Sequence, residues 1–140
     1  LELTESAFFE DKQVLIDTIK QLQQAGFSVS MDDFGSGYSS LNSLKDLPLD
    51  VIKLDGEFFR ESEDLERSNR IVKNTVELAQ HLNMKIVAEG IEKQSQVQFL
   101  QEIGCDLIQG FYYAKPMEVT AFEELLYKKA EFVTNSMEMA

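Results

Sequence analysis

The sequence predicts an α/β fold, with about five parallel strands and helices packed outside them, forming part of a (β/α)8 TIM barrel. Three observations predict it. Strand-like and helix-like segments alternate along the chain with short connections and no hairpin signal, the pattern of a parallel sheet under outer helices. A doubly wound open sheet shares that alternation. Five polar residues, Glu2, Asp32, Lys53, Glu89 and Gln109, each stand at or near the C-terminal end of a different strand, and in a barrel those ends converge on one mouth where active sites are built. Finally, 140 residues of which 44% are hydrophobic can bury a substantial core, yet a complete barrel takes about 250 residues. The expectation is therefore a partial barrel.

The chain opens on Leu1-Glu2-Leu3-Thr4-Glu5-Ser6, an apolar-polar alternation expected to be the end of a strand whose beginning lies upstream. Residues 11–24 carry Val14, Leu15, Thr18, Ile19 and Leu22 at helical spacing, and Gly26 supplies the stop. A strand is expected from Phe27, with Phe27, Val29 and Met31 on one face and Ser28, Ser30 and Asp32 on the other. Asp33 then falls where strand gives way to a loop containing Gly35 and Gly37. Residues 40–45 read as a short helix, Pro48 as a turn, and 50–55 as the next strand. A helix over 68–82 is expected to bury Ile71, Val72, Val76, Leu78, Ala79 and Leu82, and to lead into a strand over 85–89. Residues 93–102 form another helix, followed by a strand over 106–109. Thr120 with Glu123 forms a capping box for a last helix over 121–132, and 133–140 read as a tail.

Asp32-Asp33 at a strand end, ahead of a glycine-containing loop, is the arrangement in which neighbouring carboxylates grip hard cations. An acidic turn is the plainer reading of the dipeptide alone. The rest of the composition narrows the chemistry. Subtracting 13 basic from 25 acidic residues leaves a net charge of -12, which opposes a basic nucleic-acid surface, so neither DNA nor RNA is an expected partner. An anionic ligand could still bind if divalent cations inverted the local charge. Cys105 is the only cysteine and His81 the only histidine, which removes disulfide frameworks, ordinary zinc sites and most histidine-dependent catalysis. Both read as structural residues. No apolar run is long enough to span a membrane and no signal-peptide pattern opens the chain, so direct membrane insertion is not expected and a cytoplasmic location is.

With these residues laid out, the chain resembles the C-terminal portion of the EAL domain, the barrel phosphodiesterase that hydrolyses cyclic di-GMP. The resemblance runs to about Pro116. It rests on Glu2-Leu3-Thr4-Glu5, the run Asp32-Asp33-Phe34-Gly35-Ser36-Gly37-Tyr38-Ser39-Ser40-Leu41, Ile52-Lys53-Leu54-Asp55, Val87-Ala88-Glu89-Gly90-Ile91-Glu92, and Gln109-Gly110-Phe111-Tyr112-Tyr113-Ala114-Lys115-Pro116. Each is weak alone; their order is specific. The resemblance implies that Glu2 and Asp32 hold a first Mg²⁺ or Mn²⁺, with Asp32 bridging to a second held by Asp33 and Glu89. It makes Lys53 and Glu89 catalytic, Lys53 by orienting the attacking water, and Gln109 a support of the first metal. Glu5 and Glu92 would pin the loop after Asp33, and Gly110, Tyr113 and Pro116 would touch substrate. Phe34, Tyr38, Phe111, Tyr112 and Tyr113 could stack on guanine, but packing of the loops is the expected role of these aromatics. The triplet Asp33-Phe34-Gly35 also occurs in protein kinases, whose other signatures are absent here.

On this reading residues 1–132 are the C-terminal part of an EAL domain whose upstream half, with the Glu-Ala-Leu motif and an asparagine ligand, lies outside the sequence. Hydrolysis by this chain alone is expected to be negligible, while the parent, with its upstream half and regulatory domains, would be an enzyme. An open barrel exposes its inner face and edge strands, so association of copies into a homo-oligomer, or opening and rearrangement of the sheet, is expected. One alternative is a noncatalytic cyclic di-GMP receptor or protein-interaction module from a degenerate EAL protein. Another is an unrelated barrel enzyme acting on a different phosphate ester, which would not need the 109–116 run.

Overall fold

The computed structural model describes residues 1–3, 11–35, 41–60 and 62–127. Its elements are β1 (Glu2–Leu3), α1 (Lys12–Gln24), β2 (Ser30–Phe34), α2 (Leu41–Asp46), β3 (Val51–Leu54), a 3-10 helix (Gly56–Phe59), α3 (Leu65–His81), β4 (Lys85–Ala88), α4 (Gln94–Glu102) and β5 (Leu107–Ile108). A further helix, α5, covers residues 119–127. All five strands are parallel and neighbour one another in chain order, β1-β2-β3-β4-β5. A doubly wound sheet reverses its strand order at a switch point. No reversal occurs among the described residues, so the sheet is an arc of a (β/α)8 barrel.

Strand periodicity sorts the two faces. Met31, Ile52, Leu54, Ile86 and Ala88 point outward and are fully buried beneath Ile19 of α1, Val72, Val76 and Ala79 of α3, and Val97 and Leu100 of α4, all in one apolar cluster. Ser30, Val51, Lys53 and Val87 alternate with them and line an open concavity of about 630 Å³ on the other face. One side of the sheet is thus a packed core and the other a lined hollow.

Side-chain caps set the element ends. The Asp11 carboxylate accepts the N–H groups of Gln13 and Val14 to start α1, and Asp64 accepts that of Arg67 to start α3. Asp50 and Asp106, each immediately before a strand, accept the backbone N–H of Val29 at 2.8 Å and of Ile86 at 2.9 Å. These two aspartates tie the bottoms of neighbouring strands, each satisfying one backbone donor there.

Three expectations are corrected. The strand expected from Phe27 begins at Ser30, because Phe27 still belongs to the α1 terminus: its N–H closes on the Leu22 carbonyl and its ring is exposed. The helix expected over 68–82 begins three residues earlier under the Asp64 cap, and only Val72, Val76 and Ala79 of its apolar set are fully buried. Ile71 and Leu82 fall off that stripe and are exposed. The last helix starts at 119 instead of 121, with the Glu118 carbonyl accepting from Phe122, so Thr120 lies inside its first turn and is not its cap. No helix among the described residues is long and apolar enough to cross a membrane.

Candidate functional site

Four strands deliver the polar cluster. Glu2 lies on β1, Asp32 and Asp33 on β2, Lys53 on β3, and Glu89 directly after β4, where its N–H donates to the Leu54 carbonyl at 3.0 Å. The inward alternation that places Val51 in the hollow also places Lys53 there, two residues nearer the strand's C-terminal end. Its ammonium donates to Glu2 Oε1 at 2.8 Å and to Asp32 Oδ1 at 2.8 Å, and lies 3.1 Å from Glu89 Oε1. Strands two apart in a flat sheet lie about 10 Å from each other, so Lys53 and Glu2 meet by reaching over β2. Burial of the lysine works against its charged form. The hydrogen bonds to Asp32, Glu2 and Glu89 more than reverse that, and its pKa ends above the ordinary lysine value.

Asp33 enters the cluster by a different route. Neighbouring strand residues point to opposite faces, yet carboxylate oxygens of Asp32, Asp33 and Glu89 all lie within 4.8 Å of one another. The backbone explains this. Asp33 takes a left-handed conformation, φ 51°, and the pairing of β2 with β3 slips between Met31 and Phe34. That bulge turns the Asp33 side chain to the side its neighbour occupies. Aspartate tolerates such a conformation better than most residues because its short polar side chain bonds locally.

Gly35 follows at φ 94°, and a Cβ built on it would meet the Phe58 ring at 2.1 Å. The aromatic edge of the 3-10 helix therefore lies flush on the start of the loop after Asp33. Sequence reasoning identified the glycine and missed both that contact and the 3-10 helix. The signal available was Asp55, whose carboxylate caps the turn by accepting the Glu57 N–H at 2.7 Å.

The remaining expected site residues are distributed around the hollow. Gln109, Gly110 and Tyr113 line the same cavity as Glu2 and Lys53. A Cβ on Gly110 would sit 2.0 Å from the Ile91 carbonyl oxygen, so packing alone demands glycine there. Pro116 is exposed outside that lining. Glu92 is exposed on a second cleft, of about 510 Å³, that also contains Glu89; the loop residues 36–40 it was expected to pin, and Glu5 and Tyr38, lie outside the described residues. Phe34 is buried as expected of a packing residue, whereas Phe111, Tyr112 and Tyr113 keep 54%, 40% and 44% of their surface exposed. Tyr112 and Tyr113 pack edge to face with centroids 5.1 Å apart, and the Lys115 ammonium lies 5.4 Å from the Phe111 ring centre. His81 ends α3 and Cys105 is half-buried against the core.

A family model described as EAL domain matches residues 1–116. The chain belongs to the EAL domain family. It is 40% identical over 126 residues to the cyclic di-GMP phosphodiesterase NbdA of Pseudomonas aeruginosa, covering 90% of this chain and 16% of that protein. It is 43% identical over 123 residues to the cyclic di-GMP phosphodiesterase PdeR of Escherichia coli, covering 88% of this chain and 19% of that protein. The chain thus spans less than a fifth of the length of these curated relatives. Among solved structures, the EAL domain of Mycobacterium smegmatis DcpA superposes with a TM-score of 0.83 at 37% identity, over 91% of this chain and 57% of that one. A manganese/cy-diGMP complex of Klebsiella pneumoniae BlrP1 gives 0.72 at 34% identity, over 82% of this chain and 29% of that one. In EAL terms, the strand ends of the five-stranded arc carry the acids, the lysine and the glutamine named above.

Proposed function

We propose that the full-length protein is a cytoplasmic, metal-dependent phosphodiesterase that hydrolyses cyclic di-GMP to the linear dinucleotide. Residues 1–132 form the C-terminal part of its EAL domain, and the isolated chain is inactive. One observation carries this reading: Asp32, Asp33 and Glu89 bring carboxylate oxygens within 4.8 Å of one another, beside a lysine that also contacts Glu2. Membership of the EAL family and the activities named for NbdA and PdeR support it.

The donor set fits Mg²⁺ or Mn²⁺. Every candidate ligand, Glu2, Asp32, Asp33 and Glu89, is a carboxylate, and hard divalent cations take oxygen ligands. Held by these carboxylates, divalent ions would supply a water acidified for attack and positive charge against the phosphate. The chain's own groups do the rest. Lys53 holds the attacking water and balances charge building on the phosphate oxygens, and Glu89 shares the lysine's ammonium and keeps it aimed at the mouth. Gln109 supports the metal ligands from β5's end, while Gly110, Tyr113 and Pro116 border the substrate. Glu5 and Glu92 hold the loop after Asp33. Attack of water forms one phosphorus–oxygen bond and breaks the ester bond across from it, a proton from the water passing to the released sugar oxygen, so the ring opens to a linear dinucleotide with one terminal phosphate monoester and one free hydroxyl.

The test is turnover of cyclic di-GMP by the full-length protein with Mg²⁺ or Mn²⁺, beside its Asp32→Asn variant and the 140-residue chain. Hydrolysis by the parent, lost in Asp32→Asn with the fold intact, is the expected result. Normal turnover in that variant contradicts the reading, and binding without turnover by the parent leaves the noncatalytic receptor in its place.

A further inference from the structure

We propose that Lys53 is an internal counter-ion of the carboxylate cluster, which holds the site together without divalent ions and opposes each ion that binds. This rests on the reading of the cluster as a cation site. Asp32 and Glu89 belong to two arrangements at once. Both lie within hydrogen-bonding reach of the Lys53 ammonium, at 2.8 Å and 3.1 Å, and both contribute to the group of oxygens shared with Asp33. A cation drawing on those oxygens therefore sits close to a fixed positive charge, and like charges at that range repel strongly where water is scarce.

The lysine and two of the carboxylates are shielded from water, while Asp33 is exposed. The side chains of Lys53, Asp32 and Glu89 are only 13%, 22% and 18% exposed, against 56% for Glu2. The lysine backbone cannot withdraw, since Ile52 and Leu54 on either side are fully buried and the strand is paired on both edges. Only the side chain can move, and Glu2, the most exposed of its three partners, is the direction left to it. Without the ammonium, Asp32, Asp33 and Glu89 repel one another. Lys53 thus stabilises the metal-free protein and weakens metal binding by the same interaction.

The experiment measures Mn²⁺ binding to the metal-stripped chain by the electron paramagnetic resonance signal of free Mn²⁺, with melting temperature in chelator and in Mn²⁺ as a second readout. Lys53→Met removes the charge at similar length, and Lys53→Gln keeps a hydrogen-bond donor should the first variant fold poorly. Each variant is expected to bind Mn²⁺ about tenfold more tightly than the parent chain, to melt lower in chelator, and to regain more of its melting temperature with Mn²⁺. Equal or weaker binding by both folded variants overturns the proposal while the cation reading stands. The same titration is run on the full-length protein and its two Lys53 variants, and absence of Mn²⁺ binding there overturns the cation reading, and the proposal with it.

Discussion

The ammonium of Lys53 donates to the Asp32 carboxylate at 2.8 Å across 21 residues of sequence, joining the second and third strands at the rim of the hollow. Burial alone would lower the lysine's pKa, and its hydrogen bonds to Asp32, Glu2 and Glu89 raise it above the ordinary value. A cation whose pKa is raised by folding contributes stability that is complete below the unfolded value, about 10.4, and lost as pH climbs through the folded one. In chelator, the difference in urea midpoint between the parent chain and Lys53→Met should hold steady from pH 7 to about pH 9 and shrink above about pH 10.4. A difference that vanishes in the neutral range would show that the lysine's charge does not stabilise the fold.

Asp33 is held at φ 51° inside β2, so its replacements should rank by backbone tolerance. Asparagine populates the left-handed region readily, alanine costs about 1 kcal/mol more there, and a β-branched residue about 2 kcal/mol. Urea denaturation of Asp33→Asn, Asp33→Ala and Asp33→Val should follow that order of falling stability. Equal stability of the asparagine and valine variants would mean that the bulge relaxes without cost.

Most of the sheet was legible because burial and spacing agree along it. Met31, Ile52, Leu54, Ile86 and Ala88 alternate with polar or half-buried neighbours, and the position of Asp32 and Lys53 at the C-terminal ends of their strands was enough to bring them to one mouth. What the pattern could not carry was backbone irregularity. Period two assigns Asp33 to the opposite face from Asp32, and only the left-handed turn at Asp33 reverses that assignment. Helix ends failed for a related reason: the Asp64 carboxylate extends α3 backward over Leu65, Glu66 and Arg67, an exposed first turn held by a local cap and not by core burial. Long-range contacts such as Phe58 on Gly35 leave no mark in local sequence at all.

That last contact makes a second mutational case. A methyl group on Gly35 would overlap the Phe58 ring, 2.1 Å from two of its carbons, and the residue's φ of 94° is unfavourable for any L side chain. Gly35→Ala is expected to cost about 2–3 kcal/mol from overlap and backbone strain together. In a Phe58→Ala background the overlap disappears and only the strain remains, so the same substitution should cost about half as much. Urea denaturation of the four proteins in this cycle measures the difference, and an identical cost in both backgrounds would exclude the ring as the obstacle.

Cys105 tests the packing behind the sheet. Burial pushes its thiol up to about 11, the thiol lies 3.3 Å from the Leu107 carbonyl, which it can donate to, and the side chain packs against the core cluster. Alkylation proceeds through the thiolate, and against an ordinary thiol value of 9.0 the thiolate fraction at pH 8 falls by about a hundredfold. Iodoacetamide should therefore modify the native chain at least about a hundred times more slowly than a free cysteine peptide at pH 8, with the rate rising about tenfold per pH unit up to about pH 10. Unfolding in urea should restore the peptide rate. Fast modification of the folded chain at pH 8 would mean that the α4 to β5 connection opens readily, and that the core beneath β4 and β5 is looser than the fully buried Ile86 and Leu100 indicate.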